Sequence, residues 1–313
     1  MKKIILLLVI GSGCITAFTK RSAEPNPIEV KENTLIPEGV AVHPISGDIY
    51  LSSLHHNKIV RVNKDGSVQD VIASNANDYM WGLGMKFSCD GNTLWSCSAN
   101  GAGETGLFMI DIVAGKVQKR FDHDSARFLN DLMILRDGRI FITDTQQGAV
   151  FLFHNNKMEL WLKDAKLMWA NGITASADDR HLFVASGRHG LQKITIADKT
   201  ITSATQDKRT DYAIDGLVFH NNTLYAAIGW PQDQVQTHRI LRYYLNNELN
   251  FIKADTLAID QPNLTCPTTL AIHNNELYAL GNTNLGIYNR HQQKVDKIMD
   301  SLSYPIVTKF TLK

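Results

Sequence analysis

One short pattern recurs six times along this 313-residue chain, and that recurrence limits the fold more than any other feature. Each copy runs from a small or polar residue into an apolar stretch, a turn and a second apolar stretch. The copies are Gly39 to Leu51, Gly82 to Trp95, Asp131 to Ile142, Gly172 to Val184, Gly216 to Ala226 and Thr269 to Ala279. Their first residues lie 43, 49, 41, 44 and 53 positions apart. That is the spacing of a four-stranded propeller blade, about 40–50 residues. The turns Asp90-Gly91, Asp137-Gly138, Asn221-Asn222 and Asn274-Asn275 supply residues that tolerate the left-handed backbone angles of tight hairpins. Further apolar strands follow the hairpins, among them Lys58 to Val62, Gly106 to Ile110, Ala149 to Phe153 and Ile240 to Tyr244. No long helical stripe interrupts them. An all-β, six-bladed β-propeller over residues 34–313 is therefore expected in preference to a β-sandwich.

The phasing also points to a site. The residues one position before the six copies are Glu38, Trp81, Asn130, Asn171, Asp215 and Thr268. If the first strand of every blade lines the central channel, these six form a ring at one height near its mouth. Two carboxylates and two carboxamides in such a ring are hard oxygen donors, suited to Ca²⁺ foremost, then to Mg²⁺, Mn²⁺ or Zn²⁺, rather than to a thiol-bound metal. Singly, each of these residues reads as a turn cap. Together and in register they read as a site.

The first residues look like an export signal. Lys2 and Lys3 precede an apolar run, Ile4 to Ile10, that is too short to span a bilayer as a helix. Gly11-Ser12-Gly13-Cys14 then resembles a bacterial lipoprotein signal, although Gly11 stands where leucine is usual; an ordinary secretory signal is the alternative. The expected organisation is a signal peptide over 1–13, a polar tether over 14–33 anchored by lipid at Cys14, and the propeller beyond it. Such a chain sits in the bacterial cell envelope, touching membrane through its lipid alone. Lys plus Arg number 32 and Asp plus Glu 31, so no basic field suits a phosphate backbone and nucleic acid is not an expected partner. A monomer is expected. Cys89, Cys97 and Cys266 show no zinc spacing and read as separate thiols. There is no Gly-x-Ser-x-Gly elbow, and Gly101-Ala-Gly103 lacks the lysine of a phosphate loop.

With these residues in view, the chain over about 35–310 resembles the senescence marker protein, gluconolactonase and luciferin-regenerating-enzyme family, and more distantly paraoxonases and strictosidine-synthase-like propellers. The resemblance rests on Pro37-Glu38-Gly39, Asn130-Asp131, Asn171-Gly172 and Asp215-Gly216, in that order, near the starts of four blades. It implies that Glu38, Asn171 and Asp215 bind one divalent cation and that Asn130 faces metal or substrate. It implies a hydrolase of a lactone or related ester. Asp215 and Asn130 would be its catalytic residues, with Asp215 or Glu38 taking up a proton. Asn130, Arg127 and Trp81 are the expected substrate contacts. Gluconolactonase-like members carry arginine two residues before the asparagine matching Asn130; here that residue is Phe128, with Arg127 one position earlier, which argues against gluconolactone itself. Trp81, Phe128, Met168, Trp169 and Trp230 would make the mouth more apolar, or else pack between blades. His123 and His189 lie in loops and are weaker candidates for a place beside the channel, whereas His43, His220 and His273 recur at one register and read as architectural. The competing reading is a non-catalytic, lipid-anchored propeller that binds a sugar, peptide or protein.

Overall fold

The computed structural model describes residues 26–205, 214–229, 238–291 and 294–312, and these form six four-stranded antiparallel sheets. The first blade runs outward through Pro37–Val42, Ile49–Ser53, Lys58–Val62 and Val68–Ile72. Blades two to five repeat that order from the inner strands Trp81–Phe87, Leu129–Ile134, Ala170–Ala175 and Ile214–His220. The sixth takes Leu270–His273, Glu276–Gly281 and Ile306–Thr311 from the C-terminal end and its outermost strand, Asn26–Glu29, from the N-terminal end. Each inner strand packs against the inner strands of its two neighbours, so the six close around a channel. The protein is a six-bladed β-propeller.

The core lies between blades, which is why most strands are apolar on both faces. Val40, Leu51 and Val60 of the first blade meet Ala271, Tyr278 and Leu280 of the sixth. On its other side the first blade packs Ala41, Tyr50 and Ile59 against Met85, Leu94 and Phe108 of the second. The hairpin turns take the expected backbone: φ is 47° and 53° at Asn221 and Asn222, and 48° and 59° at Asn274 and Asn275, as a two-residue turn between right-twisted strands requires. Cys89, Cys97 and Cys266 are free.

One irregularity recurs at the inner end of five blades. Pairing of the first and second strands slips between Pro37 and Val40, Gly82 and Met85, Leu129 and Leu132, Ala170 and Ile173, and Ile214 and Leu217. Each slip is a bulge of two residues left out of the ladder: Glu38-Gly39, Leu83-Gly84, Asn130-Asp131, Asn171-Gly172 and Asp215-Gly216. Bulges of this kind re-aim side chains. In four of the five the second residue is glycine, because the backbone of the next blade lies against it. A Cβ on Gly39 would fall inside contact distance of the Leu83 carbonyl, and one on Gly172 inside that of the Asp215 carbonyl.

Two sequence expectations change. The ring position of the second blade is Leu83, not Trp81: the segment Gly82-Leu83-Gly84 holds two glycines, of which Gly82 lies against Ser52 and Ser53 of the preceding blade while Gly84, inside the bulge, meets Asp131 of the next. Residues 26–33, placed in the tether, belong to the folded domain. Asn26–Glu29 pairs with Ile306–Lys309, and Pro27 is tolerated there because the strand is an edge. A short helix, Leu285–Arg290, and two single 3₁₀ turns connect the second and third strands of the sixth blade. Residues 1–25, with the signal segment and Cys14, lie outside the described residues, as does Trp230.

The close approach at the bulge is testable. Gly39→Ala should cost about 1–3 kcal/mol, as overpacking does. Gly138→Ala, at a turn with open space around it but φ of 85°, should cost only about 1 kcal/mol of backbone strain. Equal melting temperatures for the two variants would contradict the packing argument.

Candidate metal centre

The bulges set Glu38, Asn130, Asn171 and Asp215 at one register on blades one, three, four and five, and all but the half-buried Asn171 are buried. The other two ring positions offer no donor to the channel. Leu83 is apolar, and Thr268 donates its hydroxyl to the Glu38 carbonyl at 2.9 Å. Hydroxyls on neighbouring strands hold the ring backbone. Ser52 Oγ accepts from Gly39 N at 2.9 Å and donates to Leu83 O at 2.8 Å. Thr143 Oγ1 repeats this two blades on, accepting from Asp131 N at 3.1 Å and donating to Asn171 O at 2.7 Å. Thr269 Oγ1 accepts from Val40 N at 3.0 Å and donates to Glu38 O at 2.7 Å, tying the last blade to the first.

These bonds satisfy the backbone and leave the ring side chains wanting. Glu38 Oε2, Asn130 Oδ1 and Asp215 Oδ1 are all buried without a hydrogen-bond partner. The amide of Asn130 donates to Thr145 Oγ1 at 2.9 Å, which turns its lone acceptor oxygen to the other side. Buried polar atoms are normally paired, so three orphaned oxygens on one ring need an explanation. The electrostatics agree. Burial, then the charges of Asp215 and Asp131, push the Glu38 carboxyl well above its usual range. Burial pushes Asp215 up to about 7, against a hydrogen bond from the Asn171 side chain and with the charge of Asp131. Two carboxyls buried together and both raised are stabilised by a cation. Among the described residues no three His, Cys, Asp or Glu side chains gather in a metal-binding cluster. The donor set that fits is mixed, two carboxylates and two carboxamides, as hard divalent ions accept.

Asp131, in the glycine position of the third bulge, was not singled out as a site residue. Its carboxylate accepts from Leu132 N at 2.8 Å and from Ile173 N at 3.2 Å, binding blade three to blade four beside Asn171. Burial raises its carboxyl, while the Lys86 charge and these two N–H groups oppose the rise. The signal for it was the break in the glycine series. Cys97 and Cys266 also stand close to the ring. Burial raises the Cys97 thiol, helped by the Asp131 and Glu38 charges, and it pushes Cys266 up to about 12, helped by that of Asp215.

The remaining expected residues sit as follows. Trp81 begins the second inner strand, half-buried, with its ring against Gly101. Arg127 is exposed and donates to the Asp124 and Ala126 carbonyls, both at 2.7 Å, so its guanidinium is engaged by its own loop. His123 packs edge-on against Phe151 and bonds to Ser125, and His189 is exposed. His43 lies over Gly91 and His273 over Gly47, at the hairpin turns of the opposite end.

Residues 36–278 match the model of the SMP-30/Gluconolactonase/LRE-like region. The chain belongs to the SMP-30/gluconolactonase/LRE-like family. No curated protein matches it. Among solved structures it is similar to a gluconolactonase from Xanthomonas campestris, with a TM-score of 0.64, 14% identity, and 94% of this chain and 92% of that one covered. A calcium-binding regucalcin from Agrobacterium tumefaciens matches with a TM-score of 0.63, 16% identity, and coverage of 91% and 93%. Virginiamycin B lyase from Staphylococcus aureus matches with a TM-score of 0.60, 13% identity, and coverage of 93% and 99%. At such identities these likenesses speak to the fold.

The raised Asp215 carboxyl gives a pH signature in the metal-free protein. A carboxyl whose folded pKa exceeds its unfolded value adds stability below the unfolded value and loses it as pH rises through the folded one. Asp215→Asn should therefore gain on the wild type as pH rises from about 4 to beyond 7, the window between its ordinary value and its value in the fold. Thermal melts in chelator across that range measure the difference. A constant offset would contradict the buried, cation-free carboxyl pair.

Proposed function

We propose that this protein is a divalent-metal-dependent hydrolase of a lactone or related ester, acting at the channel mouth. The observation that carries this reading is the set of orphaned, buried oxygens of Glu38, Asn130 and Asp215 on one ring. Family membership supports hydrolytic chemistry of the lactonase type in general. Glu38, Asn171 and Asp215 would hold the cation, Ca²⁺ foremost. When bound, it supplies Lewis acidity to an ester carbonyl and to the oxygen charge that develops during hydrolysis.

The chain's own residues do the rest. Asn130 is fixed by Thr145 and presents its carbonyl oxygen to the ring, where it orients the attacking water or the substrate. Asp215 takes up the proton of the attacking water, and the hydrogen bond from the Asn171 side chain steadies its carboxylate. Cleavage breaks the acyl C–O bond. The proton removed from water passes to Asp215 and on to the alkoxide leaving group, which stays tethered as the hydroxyl of the hydroxy acid. Burial keeps other water from the carboxyls. We further propose that the chain is exported and lipid-anchored at Cys14, acting in the cell envelope as a monomer.

A lactone panel with Ca²⁺, Mg²⁺, Mn²⁺, Zn²⁺ and chelator, run beside thermal melts, tests this reading. Cation should raise the melting temperature and turnover should need it. Asp215→Ala should abolish both, whereas Asn130→Ala should keep most of the shift and lose about 100-fold in kcat, the scale of a misplaced reactant. A melting shift without turnover on any lactone would favour the binding-module alternative. Full activity in Asp215→Ala would overturn the mechanism. For the anchor, mass spectrometry of membrane fractions should find a lipidated N-terminal Cys14, and a soluble chain cut elsewhere would reject it.

A further inference from the structure

The ring is chemically lopsided. Blades one, three, four and five bring the polar groups, and blade two brings Leu83, which is buried. Leu83 belongs to one apolar cluster with Leu129 and Ile36, against which Trp81 and Phe128 are packed. Trp81, which begins the second inner strand, and Phe128, which directly precedes the third, each stand two residues before their ring positions, and both are half-buried. That sector therefore presents an aromatic pair and an aliphatic floor. Its polar groups are turned elsewhere: Nη1 of Arg127 donates to the Asp124 and Ala126 carbonyls of its own loop, and Thr105 Oγ1 is occupied by Ser98 O and Leu129 N. A polyhydroxylated ligand lying over Leu83 would lose more hydrogen bonds to water than it regains there, which costs more than a missing contact does.

We propose that the substrate carries an apolar arm, an alkyl or aryl substituent on the lactone ring or ester, which lies over Leu83 between Trp81 and Phe128. For its head group this inference rests on the hydrolase reading; for the arm it rests on the second-blade sector alone. The polar groups of blades three, four, five and one hold the head, and the arm fixes its orientation. The sector selects against sugar lactones, whose hydroxyls point in every direction.

The test separates arm from head. With the Ca²⁺-loaded full-length protein, calorimetry measures the affinity of γ-lactams, which resist hydrolysis, bearing alkyl chains from none to hexyl. Affinity should rise about fourfold per methylene while the chain covers apolar surface. The slope should fall by at least half in Trp81→Ala and in Phe128→Ala, and return in Trp81→Phe. A lactam bearing hydroxyls instead of an alkyl chain should bind no better than the unsubstituted one. Failure of every alkyl lactam to bind, affinity flat with chain length, or an unchanged slope in both alanine variants would overturn the proposal. Turnover of unsubstituted γ-butyrolactone reads the hydrolase assignment separately. Absence of turnover there and on every alkyl γ-lactone of the same chain lengths, beside a preserved slope, would sink the hydrolase and leave the apolar arm standing.

Discussion

Everything at the centre of this propeller depends on how closely six inner strands approach one another. Their bulges touch backbone to backbone, and a residue with a Cβ fits after the ring position only where its side chain replaces the missing contact. Gly39, Gly84, Gly172 and Gly216 yield to the neighbouring strand. Asp131 and Thr269 instead bond to it, through Ile173 N and Val40 N. Ser52 and Thr143 bridge from the second strands. Each such bond is worth about 1 kcal/mol net, but a buried N–H or C=O left open costs about 1–3 kcal/mol. The arrangement is consequently fixed by what its loss would expose. It leaves the ring side chains no freedom to turn away from the channel.

That rigidity explains the electrostatics. Glu38 and Asp215 are held in a dry ring, with Asp131 beneath as a third carboxyl, and their positions cannot relax to relieve the repulsion. Backbone strain is stored just outside it. Ile36, Trp169 and Cys266, all two residues before ring positions, have φ of 46°, 59° and 59°. For a β-branched residue such as Ile36 that region is a marked outlier, of the sort that gathers at binding sites and costs on the order of 1–3 kcal/mol. The same fold serves a gluconolactonase and a lyase among its structural neighbours, so chemistry resides in what the ring presents and not in the blades.

The fold was legible because a blade cannot hide its period: two apolar runs joined by an Asp-Gly or Asn-Asn turn recur whenever a four-stranded sheet must pack on both faces. Four ring residues were legible for a related reason, since each precedes the residue that meets the next blade. In the second blade the same cue misled. Gly82 and Gly84 both satisfy it, and only the three-dimensional approach of Asp131 to Gly84 decides between them. Strand Asn26–Glu29, four residues with a proline, carries no strand signal of its own; it is a strand because the open edge of Ile306–Thr311 needs a partner. The helix Leu285–Arg290 is shorter than two turns and shows no periodicity that a sequence window resolves. Asp131 was passed over because its role, tying blade to blade, appears only once both blades are in place.

The central claim is that four ring side chains converge on one hard cation. The most direct measurement is a crystal structure of the full chain grown with Mn²⁺ and examined by anomalous scattering. The account predicts one strong peak within coordination distance, about 2.0–2.6 Å, of oxygens from Glu38, Asn171 and Asp215, with Asn130 beside it and no equivalent peak in crystals of Asp215→Ala. Ordered protein with no peak in the ring, or with manganese bound only elsewhere, would contradict it.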